Sequence, residues 1–76
     1  MPGHWLRGIK PDQAIRAFEM AGGERRPGRG SHANVKMPNG QVITIPFHSE
    51  VKVGLLVAAI RKAGLTVEQF LGLLSR

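Results

Sequence analysis

No cysteine and no tyrosine occur in these 76 residues, and five acidic side chains stand against eleven Lys and Arg. The first absence excludes a disulfide framework and any thiolate zinc site. With one Trp and three Phe, there is little aromatic surface on which single-stranded bases could stack. An anionic polymer would therefore be gripped by its phosphates more than read base by base. Apolar runs fall far short of the roughly 20 residues a membrane helix requires. The opening Met1-Pro2-Gly3-His4-Trp5-Leu6 lacks the charged and then apolar regions of a signal peptide, so a cytoplasmic location is expected. The length fits one small domain over residues 1–76, with a flexible segment 1–9 ahead of a folded body 10–74. A chain of this size buries only about 60% of its unfolded surface, so its core is thin.

What is present is positive charge. The net charge is +6 and the isoelectric point is near 11.3. Its distribution is uneven: Arg25, Arg26, Arg29 and Lys36 occur with no acid between the first and the last. Such an excess suits a polyanion or an acidic protein surface. A solvated face that only maintains solubility is the competing reading.

Three helices and a β region are expected. Pro11 suits the first helical position and Asp12 the positive end of the helix dipole. Ala14, Ile15, Ala17, Phe18 and Ala21 then recur at helical spacing, and Gly22-Gly23 ends the run. A second helix is expected from about Gly54 to Ala63, with Leu56, Ala59, Ile60 and Ala63 on one face and Gly64 beyond its end. Thr66 and Gln69 have the spacing of a capping box, which opens a third helix carrying Val67, Phe70, Leu71 and Leu74 inward.

Between the first two helices, residues 31–37 alternate, and residues 41–45 are rich in β-formers. The turn between them decides their pairing. A two-residue Asn39-Gly40 loop would set Val35 opposite Thr44 and mix the faces. A three-residue Pro38-Asn39-Gly40 loop, with Gly40 in the left-handed region, sets Val35 opposite Ile43 and Ala33 opposite Ile45. Only the second leaves one clean apolar face, and a one-residue slip destroys it. His32, Asn34, Lys36 and Thr44 then face outward, His32 lies across from Pro46, and His48 follows at the same end. Residues 23–28 are poor strand material, and Pro27 cannot donate to a ladder, so any strand there is an edge strand. The class is α+β: a three-stranded antiparallel sheet with helices packed on one face, in the order α-β-β-β-α(-α).

The stretch Gly30-Ser31-His32 places a histidine at the start of a strand in the most basic part of the chain. A group that exchanges a proton near neutral pH, surrounded by cations, is what cleavage of an RNA backbone needs. A polar residue on a solvated strand is the plainer alternative. His48 is a candidate second acid–base group, or else a loop histidine. Arg26, Arg29 and Lys36 are candidate phosphate contacts. Ser31 would hydrogen-bond a phosphate or cap the turn. His32 and His48 alone are too few for a metal site.

Taken together, Ala21-Gly22, Gly30-Ser31-His32, Pro38-Asn39-Gly40, Ile43-Thr44-Ile45-Pro46-Phe47-His48 and Ile60-Arg61-Lys62-Ala63-Gly64-Leu65 resemble the HicA-type toxins of bacterial toxin–antitoxin pairs. The resemblance runs from about Lys10 to Leu74. It implies a double-stranded-RNA-binding-like fold and a small mRNA-cleaving endoribonuclease that needs no cofactor. It further implies His32 as the catalytic histidine, and a HicB-like antitoxin as partner. The chain departs from the family pattern at Gly23-Glu24-Arg25-Arg26, where an aromatic and apolar strand residues are usual. Pro27 replaces an arginine common before the motif, and Ala33 stands where a second histidine is frequent. These departures bear on how the first strand is ordered and on whether catalysis is retained. Two other functions fit the same residues: a non-catalytic RNA-binding module and a basic protein-interaction domain.

Overall fold

The computed structural model describes residues 3–47 and 50–76. Helix α1 (Pro11–Met20) opens with its proline in place, and Gln13 Oε1 accepts from the Lys10 N–H at 2.8 Å. Strands β1 (Glu24–Arg26), β2 (His32–Lys36) and β3 (Val42–Pro46) follow, then helices α2 (Val53–Lys62) and α3 (Val67–Leu74). The expected order α-β-β-β-α-α and the α+β class are those of the structure. Thr66 caps α3 as the sequence predicts: its Oγ1 accepts from Gln69 N–H at 3.0 Å, and Gln69 Oε1 accepts from Thr66 N–H at 2.9 Å.

The sheet is an antiparallel meander in the order β1-β2-β3. Val35 lies opposite Ile43, Ala33 opposite Ile45 and His32 opposite Pro46, the register that the three-residue loop dictates. Gly40 holds the left-handed position with φ 85°, and Met37 N–H donates to Gln41 O at 2.8 Å. Strand boundaries differ from expectation by a residue or so. The largest change is in β1, which keeps three of the six residues expected of it. Gly23 lies outside the ladder with its N–H donating to Phe18 O at the end of α1, at 3.0 Å. Pro27 offers no N–H to continue the ladder.

Ala33, Val35, Met37, Ile43 and Ile45 are buried beneath α1 and α2, joined by Ile15, Phe18, Leu56 and Ile60. Phe70 brings α3 into this core, its ring centroid 5.1 Å from that of Phe18. No polar or charged side chain is buried among the described residues. The N-terminal segment adds what the sequence reading did not assign to it. Leu6, at the end of a 3₁₀ turn (Gly3–Leu6), and Ile9 are both buried, and Val51 N–H donates to Ile9 O at 2.8 Å. Two isolated apolar residues carry no periodicity by which their burial could be read.

Candidate active site

The outward face of the sheet belongs to the alternate residues of each strand. On β2 these are His32, Asn34 and Lys36, and on β3 they include Thr44. His32 enters its strand from a tight turn: its N–H donates to Arg29 O at 3.0 Å. Gly30 occupies the second position of that turn with φ 57°, and among the described residues none other than glycine has a positive φ. One left-handed residue at that position is the type II′ pattern, which only glycine adopts without strain.

Arg29 O is also within 3.3 Å of His32 Nδ1. A carbonyl can only accept, so this contact requires the proton on Nδ1. Nε2 is then the free nitrogen, and it makes no hydrogen bond among the described residues. The ring is exposed. The turn therefore both launches the strand and orients the imidazole. Gly28 completes the arrangement, since a Cβ there would lie 2.2 Å from His32 O, and only a bare backbone passes so close.

Beside His32 the outward face holds a short polar relay. Thr44 Oγ1 donates to Asn34 Oδ1 at 2.8 Å, and Asn34 Nδ2 donates to Pro27 O at 3.3 Å. These bonds tie the β1–β2 loop to β3 across the middle strand. Asn34 and Thr44 were legible as outward neighbours from the register alone, but their role in holding the loop was not.

The cations proposed from sequence are divided. Arg29 and Ser31 belong to the His32 turn. Arg26 lies opposite Asn34 and pairs with Glu24 at 3.3 Å, with both side chains at least half exposed. Such an exposed pair is weak and exchangeable. Lys36 lies four residues along the strand from His32, about 13 Å at the usual rise, and opposite Glu24. Two residues to which the sequence reading gave no role of their own fall, by the alternation of the paired strands, on the helix-facing side of the sheet: Arg25 opposite buried Val35, and Phe47 two residues beyond buried Ile45. Phe47 N–H donates to Ser31 O at 2.6 Å, and the Arg25 guanidinium lies over the Phe47 ring at 5.6 Å. His48 lies outside the described residues. Among the described residues no cluster of metal-ligating side chains occurs.

A family model described as the HicA toxin of bacterial toxin–antitoxin systems matches residues 11–65. The chain belongs to that family. No curated protein matches it. The match begins at the first residue of α1 and ends just past α2, so it contains the whole sheet and the His32 turn. The toxin's departures from the family pattern can now be placed. Ala33 is 3% exposed and faces the helices, on the side of the strand opposite to His32. Its small size is thus a matter of packing beneath the sheet. The charged β1 still forms, as an exposed edge. Membership implies an antitoxin partner. Among the described residues no helix is long and apolar enough to cross a membrane.

Proposed function

We propose that this toxin is a metal-independent endoribonuclease that cleaves mRNA, with His32 as its acid–base group and a HicB-like antitoxin as its inhibitor. The observation that carries the reading is the exposed His32, held through Nδ1 by Arg29 O with Nε2 in no hydrogen bond among the described residues. This geometry suits a general base. Nε2 takes the proton of a ribose 2′-hydroxyl, and the resulting oxygen attacks the adjacent phosphorus. The bond to the 5′-oxygen breaks, and water supplies the proton that oxygen needs. The products are a 2′,3′-cyclic phosphate and a free 5′-hydroxyl.

Negative charge accumulates on the phosphorane as the bond forms. Preorganised donors near that charge are the largest source of rate enhancement available to so small a site. Arg29 and Ser31 stand in the same turn as His32, and Arg26 is one strand away. Their side chains, apart from Arg26, make no ion pair or hydrogen bond among the described residues, so they are available to a phosphate.

The test is cleavage of a long single-stranded RNA without metal by the purified toxin and by its His32→Ala variant. Cleavage by the parent alone, with cyclic-phosphate ends, supports the assignment. Retained RNA binding with no cleavage by either protein would instead mark a binding module. Equal cleavage by both would remove His32 from the mechanism.

A further inference from the structure

We propose that Asn34, held in orientation by Thr44, is a positioning residue for the cleavage reaction: it fastens the loop from Pro27 to Ser31 so that Arg29 O keeps the His32 proton on Nδ1. The inference rests on the RNA-cleaving reading above and goes beyond it. It assigns the orientation of the proposed base to a residue outside the Gly30-Ser31-His32 motif that takes no part in the proton transfer.

The loop has little of its own to hold it. Every residue from Pro27 to Ser31 is exposed, so no buried side chain anchors it, and Gly28 and Gly30 add backbone freedom. Pro27 has no N–H with which to extend the ladder. Both bonds of Arg29 O run to His32 itself, from the backbone N–H at 3.0 Å and from Nδ1 at 3.3 Å. They close the turn without tying it to its neighbours. The Ser31 end is held by Phe47 N–H, which donates to Ser31 O. The Pro27 end is held by Asn34 Nδ2, which donates to Pro27 O at 3.3 Å, two residues before the carbonyl that orients the imidazole.

Chemistry fixes which way the amide faces. The carbonyl of Pro27 only accepts, so the amide nitrogen of Asn34 has to face it and Oδ1 has to face away. Oδ1 then accepts from Thr44 Oγ1 at 2.8 Å. With the amide turned over, two carbonyl oxygens would confront each other at Pro27. Thr44 lies directly across from Asn34 in the ladder, so the strand register sets the pair. Asn34 is also the one outward residue of β2 that is partly covered, between exposed His32 and Lys36. Its carbonyl and amide ends are both bonded within the toxin, which suits a strut better than a contact with RNA. The side chain thus carries the position of β3 to the turn that holds the proposed base.

The experiment follows His32 through its ring nitrogens and through kinetics, in the full chain. Long-range ¹H–¹⁵N spectra, recorded at a pH where the ring is neutral, distinguish the Nδ1–H form from the Nε2–H form. They are taken for the parent, Asn34→Leu, Thr44→Val and Thr44→Ser, and RNA cleavage by each is resolved into kcat and KM. The first two substitutions remove the polar groups at nearly constant size, and thermal melts establish that every variant is folded. The parent is expected in the Nδ1–H form. Asn34→Leu and Thr44→Val should shift the ring toward Nε2–H and lower kcat about 10- to 100-fold, up to the cost of a 1 Å misplacement, with KM unchanged. Thr44→Ser keeps the hydroxyl and should retain the parental spectrum and rate. The double variant Asn34→Leu/Thr44→Val should be no slower than Asn34→Leu alone, because the two groups act through one path.

An unshifted tautomer with parental kcat in both Asn34→Leu and Thr44→Val would overturn the positioning role and leave the ribonuclease reading intact. A raised KM with parental kcat and tautomer would overturn it as well, and would make Asn34 a contact with RNA. A parent whose neutral ring carries its proton on Nε2 would overturn it at its origin. No cleavage by the parent would overturn the ribonuclease reading itself, and this inference with it.

Discussion

At one end of β2 the backbone turns through Arg29, Gly30 and Ser31 with every side chain exposed. At the other it enters a loop that is fastened to the helical layer. Asn39 Nδ2 donates to Lys62 O at the end of α2, and Asn39 Oδ1 accepts from Gln41 N–H, both at 3.0 Å. Met37 beside it is buried. The histidine end has glycines, cations and a ring with one nitrogen free, while the loop end has cross-links. One five-residue strand thus joins a solvent-facing site to a braced anchor. Sites are commonly built in this way, on loops positioned by a rigid scaffold.

The contrast is tested most severely by His32→Ala. Loss of a positioned acid–base group lowers rate by about 10²- to 10⁴-fold, and the exposed ring contributes little to stability. Cleavage should therefore collapse with an unchanged melting temperature. Gly28→Ala strikes the same end through the backbone. Its Cβ would collide with His32 O and C at 2.2 and 2.8 Å, so the loop must move away from β2. A stability loss of roughly 1–3 kcal/mol is expected, with cleavage reduced because Arg29 O no longer meets the imidazole. Unaltered kinetics in this variant would separate the turn from catalysis.

Asn39→Ala tests the opposite end. Removing a cross-link worth about 1 kcal/mol should lower the melting temperature by about 4–8 °C and leave cleavage per folded molecule unchanged. Smaller still is the difference between two cations. Arg29→Ala and Lys36→Ala should each reduce the salt dependence of RNA binding by about one unit of slope. Only Arg29→Ala should also slow cleavage at saturating RNA. Equal kinetic effects would mean that the two ends of β2 share the site.

Much of this architecture was readable before any coordinates. The pairing of Val35 with Ile43 follows from loop length and alternation, because a single slip exposes the apolar face. The proline start of α1 and the cap of α3 are likewise local chemistry. Legibility ended where two distant segments meet. The Asn39–Lys62 bond joins residues 23 apart, and the Arg25–Phe47 contact depends on how far one side chain reaches across the sheet. The candidate site divides in the same way. His32, Arg29 and Ser31 are consecutive enough to be seen together, whereas Lys36 shares their face but not their end of it. Leu6 and Ile9 joined the core without any pattern to announce them.

The contact between Phe18 and Phe70 has a consequence for the order in which a ribosome makes this toxin. The candidate phosphate contacts lie between Arg26 and Lys36, so the candidate surface is synthesised early. The sheet beneath it packs against α1, made before it, and α2, made after it, and α1 is in turn covered by α3, whose fully buried Phe70 comes near the end of the chain. Burying such a side chain is worth about 1.5–3 kcal/mol, a large share of the stability of so small a core. A nascent chain thus displays its histidine before it can hold it in place. The core that supports the His32 turn is therefore complete only when the polypeptide is nearly finished.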